Sequence, residues 1–568
     1  MPSELANLIS VARGESPADL VLSNARIVNV FNGEVEAGNV AIYDGMIAGI
    51  GDYKQAKRVI DLDGRYLAPG LINGHTHIES SMLDIDQYAR AVVARGTLAV
   101  VTDLHELTNV CGINAIRYIL NSARRLPLEL FLMAPSCVPA THLETSGACL
   151  EADELKRIQG RKGVIGLGEM MNFPGVIGGD DNVLRKINMA KGKIIDGHAP
   201  LVRDKDLAAY IAAGIYSDHE SVSLEEAGEK LKRGMHIMIR EGSSEKNLEA
   251  LLPLVTDRTY KRCLFVVDDR SCADLLRDGD MDAVVRKAIK LGLEPVRAIQ
   301  LATINAAEYF GLGRLGAIAP GYTANLIVVD DLSKFSISMA FHHGKLVAEQ
   351  GKVLFKVGKY RGSKPVTTVN IKPFDIRALE LVAKGEMRPV IEIVPGQIIT
   401  KKQIMKVRIK DGAAVPDIEN DILKLVVVER HHATGNIGIG LVKGFGLKRG
   451  ALVSSVAHDS HNIIAVGTDD GDIYTGIKHV EKLQGGLVVA NEGKVLASLA
   501  LPIGGLMSDQ PLEDVVAQLE RLKALAAELG SSLPSPFATL SFLALPVIPE
   551  LRLTDLGLVD VGEFKIIE

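Results

Sequence analysis

The rhythm of apolar and polar positions changes twice along this chain. Between Leu20 and Leu62 the apolar runs are short: residues 20–30, 39–43, 46–50 and 58–62. Asn32-Gly33, Asp44-Gly45 and Asp63-Gly64 separate them, each a tight-turn dipeptide. This pattern predicts a small antiparallel sheet with too little core to stand alone. From Tyr66 the rhythm switches to apolar strand-like runs alternating with helix-like stretches. The runs are the Leu71 region and residues 99–102, 130–134, 163–167, 194–197, 214–216, 235–239 and 263–267. Helical patterns at 84–95, 114–124, 204–213 and 223–233 lie between them. Continuous apolar strands alternating with helices indicate a parallel sheet covered on both faces. Eight such units in this length fit a (β/α)8 barrel. An open doubly wound sheet gives no reason for the residues at the strand ends.

Those ends carry chemistry. His75 and His77 follow the first strand, and Asp103-Leu104-His105-Glu106 the second. Glu169 follows the fourth, His198 the fifth, and Ser217-Asp218-His219-Glu220 the sixth. Arg240-Glu241-Gly242-Ser243 and Asp268-Asp269-Arg270 follow the seventh and eighth. In a barrel these ends open on one face. His75 and His77, two apart on an extended segment, point the same way. His75, His77, Glu169, His198, His219 and Asp268 together offer four imidazoles and two carboxylates. That donor set suits a pair of borderline divalent ions such as iron, manganese or zinc. Taken singly, each residue has a plainer reading: His219 as the neighbour of a helix cap, Glu169 as a buried salt-bridge partner. Two ions about 3.5–4 Å apart share a hydroxide that is nucleophilic at neutral pH. Glu169 is placed to bridge them, and Asp268 to bind one ion and accept the proton of the attacking water.

After residue 320 the antiparallel style returns, to about Val357. The ends therefore predict a composite β domain of 1–65 plus 320–365 beside a barrel of 66–319. A polar linker (358–372) leads to an α+β domain at 373–568, with strands at 390–393, 424–429, 462–466, 486–490 and 494–499. It has one clear helix, from Asp509-Gln510-Pro511 to Gly530. Two polar clusters in that domain, His431-His432 and His458-Asp459-Ser460-His461, either satisfy loop backbone, reach over the barrel mouth or bind an extra metal. Gly311 to Gly316 matches G-x-G-x-x-G but follows a helix and opens into a strand, the wrong context for a dinucleotide.

A length of 568 residues exceeds what one core supports. The net charge of -6 argues against a nucleic-acid binder. Basic KKQIMKVRIK (401–410) reads as a solvated strand edge. Five scattered cysteines with no CxxC pair fit a reducing compartment. No apolar run reaches the ~18 residues of a membrane span, and the start MPSELANLISVARG, read as a short amphipathic helix, lacks a signal pattern. A cytoplasmic protein without membrane partners is expected.

His-x-His, an acid at strand four, His at strands five and six, and Asp at strand eight resemble the amidohydrolase superfamily. PGLINGHTHIESSM, DLHE, GLGEMMNFPGV, DGHAP, SDHE and IREGS resemble its bacterial and archaeal adenine deaminase family, as do VERHHATGNIGIGLVKGFGLKRGA and SSVAHDSHNII in the C-terminal domain. The resemblance spans nearly the whole chain. It implies hydrolysis of adenine to hypoxanthine and ammonia in purine salvage, a binuclear iron or manganese site bridged by Glu169, and a homodimer. Ser271-Cys272 stand after Arg270 where the family often has a His. His105, Glu106 and Glu79 are candidate acids for a ring nitrogen. Arg240 and Ser243 are candidates for holding the purine edge, with a carboxylate ion pair the competing reading for Arg240. Two alternatives stand beside this. A cyclic-amide hydrolase of the dihydroorotase or hydantoinase kind usually has a bridging lysine. A metal-free scaffold on the same fold is expected to have lost ligands.

Overall fold

The computed structural model describes residues 4–358, 360 and 362–567. Residues 1–3 of the expected N-terminal helix, and Lys359 and Arg361 of the expected linker, lie outside the described residues. The chain is mixed α/β. Leu71–Asn73, Thr97–Thr102, Glu129–Ala134, Val164–Met170 and Ile194–Gly197 pair in that order as a parallel five-stranded sheet, half of the expected barrel. Ser217–Asp218, His236–Arg240 and Cys263–Val266 form a second parallel sheet. Asp268–Asp269 pairs in parallel with Thr76–His77. Every residue of Thr97–Thr102 is buried, as a strand covered on both faces requires.

The intervening helices form because their apolar positions repeat at helical spacing. Ile85–Val93 buries Ile85, Tyr88, Ala89, Val92 and Val93 on one face, and Asp84 caps it by accepting from the Ile85 N–H. The expected sixth strand is displaced. Residues 214–216 fall outside the strand, and Ser217–Asp218 pair with His236-Ile237 instead. Gly214, at φ 98°, turns the chain out of the helix Asp204–Ala212, so Ile215 and Tyr216 only lead into the sheet.

The sheet of the two flanks is mixed, which corrects the antiparallel expectation. Ala18–Val28 takes the Val35–Tyr43/Met46–Gly51 hairpin on one edge. The chain then crosses over and runs parallel to it on the other edge, as Ala56–Asp61 and then Tyr66–Pro69. Asp63-Gly64 is thus a jog between two strands of like direction, not a hairpin. Tyr66–Pro69 pairs antiparallel with Leu326–Asp331, followed by Ser336–His342 and Lys345–Glu349.

The C-terminal region holds an eight-stranded sheet, with Thr400–Lys406 at one edge and Lys494–Ala500 at the other. The expected helix is present as Leu512–Glu528. Two more accompany it, Asp470–Leu483 and Pro536–Phe542, against the expectation of one. Gly471 and Gly476 weaken the helical signal of the first. A Cβ on Gly476 would lie 2.4 Å from Val453 Cγ2, so this glycine lets the helix approach the sheet. The C-terminal region lies against the strand ends: the Asp84 N–H donates to Ser508 O (2.8 Å), and the Thr145 N–H to Asp555 Oδ1 (2.9 Å). All five cysteines are free thiols. No helix among the described residues is long and apolar enough to cross a membrane.

Candidate metal centre

The pairing of Thr76–His77 with Asp268–Asp269 brings the first and last strand ends together. Asp268 sits at φ 66°, a left-handed conformation that costs a non-glycine residue about 1–3 kcal/mol. It is held by its N–H donating to His75 O (2.9 Å) and by the Thr76 hydroxyl donating to its carbonyl (3.1 Å). The side chain thereby reaches the histidines: Oδ1 lies 3.1 Å from His77 Nε2 and 3.7 Å from His75 Nε2.

Glu169 occupies the middle. Its Oε1 faces His77 Nε2 (3.3 Å) and His105 Nδ1 (3.5 Å), and its Oε2 faces His198 Nδ1 (2.8 Å) and His219 Nε2 (3.3 Å). One carboxylate therefore serves two groups of donors, His77-Asp103-His105 on one side and His75-His219 on the other. All six sequence-derived ligand candidates meet here. Asp103 is the residue that sequence reasoning passed over. It lies fully buried, with Oδ1 3.2 Å from His77 Nδ1 and 3.0 Å from His105 Nδ1. Its place in Asp103-Leu104-His105-Glu106 was the signal, but nothing in that spacing separates a ligand from a helix cap. A Cβ on Gly168 would stand 2.7 Å from Asp103 Cβ, so the glycine before Glu169 makes room for this acid.

The donor set fits cations. His75 Nε2, His219 Nδ1 and Asp103 Oδ2 are buried without hydrogen-bond partners, and such groups are costly unless something satisfies them. Burial, reinforced by His219 and His77, pushes His75 down to about 3, leaving a neutral imidazole with a free lone pair. Burial opposes the charge on Glu169 and Asp268. Hydrogen bonds from His198 and His219 to the first, and from His77 with the Arg240 charge to the second, outweigh it and hold both carboxyls well below their usual range. Packed carboxylates of this kind call for positive charge.

The remaining candidates divide. Arg240 Nη1 lies 2.9 Å from Asp268 Oδ2 and also pairs with Glu220, while its Nε donates to Asn247 Oδ1 (2.9 Å). That is the ion-pair arrangement. The Ser243 hydroxyl donates to Asp274 and accepts from the Ser271 N–H (2.9 Å). Ser243 lines a cavity of about 330 Å³ with Glu79, Glu106, Asp269, His458 and Phe542, at the small end of the ~300–1,000 Å³ of ligand pockets. Glu79 Oε1 accepts from the Leu107 N–H (3.0 Å) and Oε2 has no partner; burial raises its carboxyl to about 7. His105 leans on Asp103, with its Nε2 3.5 Å from Glu106 Oε1. Glu106 turns to the C-terminal region, where His458 Nδ1 is 2.5 Å away and His461 Nε2 is also in contact. Of the two polar clusters, His458–His461 reaches the strand ends. His431 and His432 satisfy the Ser460 and Ser146 carbonyls (2.7 and 3.0 Å).

Two family models match the chain, the amidohydrolase family over residues 66–347 and the adenine deaminase C-terminal domain over 397–565. The chain is 62% identical over 567 residues to an adenine deaminase of Dehalococcoides mccartyi, covering 100% of this chain and 99% of that one. It is 48% identical to adenine deaminase 2 of Carboxydothermus hydrogenoformans, over 99% of each chain. It is 49% identical to an adenine deaminase of Desulfatibacillum aliphaticivorans, over 99% of this chain and 98% of that one.

Proposed function

This chain belongs to the adenine deaminase family, and we propose that its chemistry is carried by the buried cluster around Glu169. It hydrolyses adenine to hypoxanthine and ammonia. We assign His75, His77, Glu169, His198, His219 and Asp268 to hold two divalent cations, manganese or iron, with Asp103 as an added donor. The observation that supports this most is the single carboxylate of Glu169 shared between two sets of imidazoles. Bound cations of this class supply Lewis acidity and make hydroxide available near neutral pH.

The protein's own groups do the rest. Asp268 takes the proton of the attacking water and passes it to the departing amine at C6. Arg240 fixes the Asp268 carboxylate by holding Oδ2, which leaves Oδ1 toward the histidines. Glu79 and Glu106 border the cavity. Glu79, whose Oε2 has no partner, is the acid we favour for a ring nitrogen, while Glu106, with both oxygens accepting from histidines, is an ionised carboxylate that accepts a hydrogen bond from the purine. Burial of the charged groups lowers the local dielectric, which strengthens each charge interaction.

We read residues 66–319 as one (β/α)8 barrel. The five-stranded and three-stranded sheets would be its arcs, and the Thr76–His77/Asp268–Asp269 pair the seam. The composite domain is 1–65 with 320–365, and the C-terminal domain is 373–568. A cytoplasmic homodimer acting in purine salvage completes the proposal.

The test follows loss of adenine absorbance with protein prepared in manganese. Asp268→Asn is expected to abolish turnover while the fold survives, and full activity in that variant sinks the role. Metal content below one ion per chain would favour a scaffold. Hydrolysis of hydantoin or dihydroorotate in place of adenine would favour a cyclic-amide hydrolase.

A further inference from the structure

The C-terminal region is not only a cover. Glu106, on the helix His105–Cys111, is buried, and each of its carboxylate oxygens is engaged by a different histidine from the segment 458–461, more than 350 residues later in the chain. Two readings of this His-Glu-His group compete. One is a third cation site, since the three donor atoms lie within 4.8 Å of one another. The other is a hydrogen-bonded clamp.

The backbone around His461 decides between them. The Ala457 N–H donates to His461 Nδ1 (3.1 Å). That nitrogen is therefore the acceptor of the ring, and in the neutral imidazole the proton sits on Nε2. Nε2 faces Glu106 Oε2, so it donates there and has no lone pair to offer a metal. The 2.5 Å between His458 Nδ1 and Glu106 Oε1 is likewise a direct charge-assisted hydrogen bond, with no room for an ion between the two atoms.

The histidines are themselves held. His461 sits at φ 55°, its N–H donating to Ala457 O (2.7 Å), and its carbonyl accepts from the wholly buried Arg430. The His458 ring stacks on Phe542 at 4.6 Å and 20°. His458, His461, Phe542 and Glu106 all border the cavity that also meets Glu79 and Asp269.

We propose that His458 and His461 are positioning residues which clamp the Glu106 carboxylate in the orientation the deamination requires, so that the C-terminal domain completes the active site. This rests on the reading of Glu106 as the carboxylate that accepts a hydrogen bond from the purine. Two hydrogen bonds to two oxygens fix the rotation of the carboxylate about its terminal bond. Such preorganisation removes the reorientation otherwise needed at each turnover.

The two histidines use different nitrogens, and this gives the test its design. An asparagine amide nitrogen takes the place of imidazole Nδ1, and a glutamine amide nitrogen that of Nε2. His458→Asn and His461→Gln therefore keep the donors, while His458→Gln and His461→Asn misplace them. In the manganese-loaded full-length enzyme, the first pair is expected to retain kcat within about threefold. The second pair should lose roughly 10²-fold in kcat with KM within about threefold, at unchanged metal content. Adding Glu106→Gln to either misplaced variant should cost no more than Glu106→Gln alone, because residues acting through one another are non-additive.

Full activity of Glu106→Gln would overturn the underlying reading of Glu106. An inactive Glu106→Gln beside four active histidine variants would overturn the clamp alone. Multiplying losses would overturn it too, as would His461→Asn binding one metal ion fewer than wild type. Should one misplaced variant fail to fold, the Asn/Gln pair at the other histidine carries the same comparison.

Discussion

Arg240 and Asp268 form a buried ion pair at the centre of the site, with Nη1 2.9 Å from Oδ2 and both side chains under a tenth exposed. The same guanidinium holds Glu220, so one fixed cation orders two carboxylates that face the histidines. Arg240→Met is expected to take the guanidinium from both buried acids and to destabilise the protein by about 3–5 kcal/mol. Arg240→Lys keeps the charge but loses the fork; it should lower kcat about tenfold or more with a smaller fall in Tm. Thermal unfolding and steady-state kinetics on the two variants check this.

Lys230 braces a second part of the centre from outside. It is wholly buried and donates to Asp218 Oδ2 (2.9 Å), Glu226 Oε1 (2.8 Å) and the Ala199 carbonyl (2.7 Å). Ala199 follows His198 and Asp218 precedes His219, so one ammonium ties together the loops of two proposed ligands. Lys230→Met should cost about 3–5 kcal/mol of stability, since it strands buried carboxylates. It should also lower metal retention on dialysis. Metal analysis after dialysis, run beside a melting curve, separates the two effects.

Gly168→Ala should be more damaging to activity than to folding. The added Cβ meets Asp103 Cβ at 2.7 Å, and Asp103 touches His77 and His105. The expected outcome is a fall in kcat of about tenfold or more with Tm lowered by a few degrees. A variant of wild-type activity would show that Asp103 is not a donor.

Chelation should remove activity and lower Tm together, and manganese or iron should restore both with two equivalents per chain. Ligands that bind only the native state stabilise it in proportion to RT ln(1 + [L]/Kd). Titrating metal into stripped protein while following both readouts tests the stoichiometry.

The sequence carried much of this because barrel-type strands write their chemistry at fixed places. A histidine or acid just after an apolar run is visible in one dimension, and His75, His77, Glu169, His198, His219 and Asp268 were all found that way. Asp103 was visible but ambiguous, since an acid before a helix is also a cap. The clamp on Glu106 was not legible at all. Its partners lie more than 350 residues away and meet only through tertiary packing, so no spacing encodes it. Asp63-Gly64 misled for a related reason: a turn dipeptide fixes the local backbone, while the direction of the next strand depends on which edge is open.

The seam of the flanking sheet bears on how the chain is made. Leu67 pairs with Val328, 261 positions later, and everything between them is the metal-bearing region. At roughly 5–20 residues per second of synthesis, the first half of that sheet waits on the order of 13–50 s for the strand that covers its edge. Throughout that interval Tyr66–Pro69 presents an unpaired apolar edge to the cell, and pairings so distant in sequence are slow to form. The nascent chain is therefore most exposed to aggregation while its ligand-bearing strands are emerging, and it becomes safe only once residues 326–331 have left the ribosome.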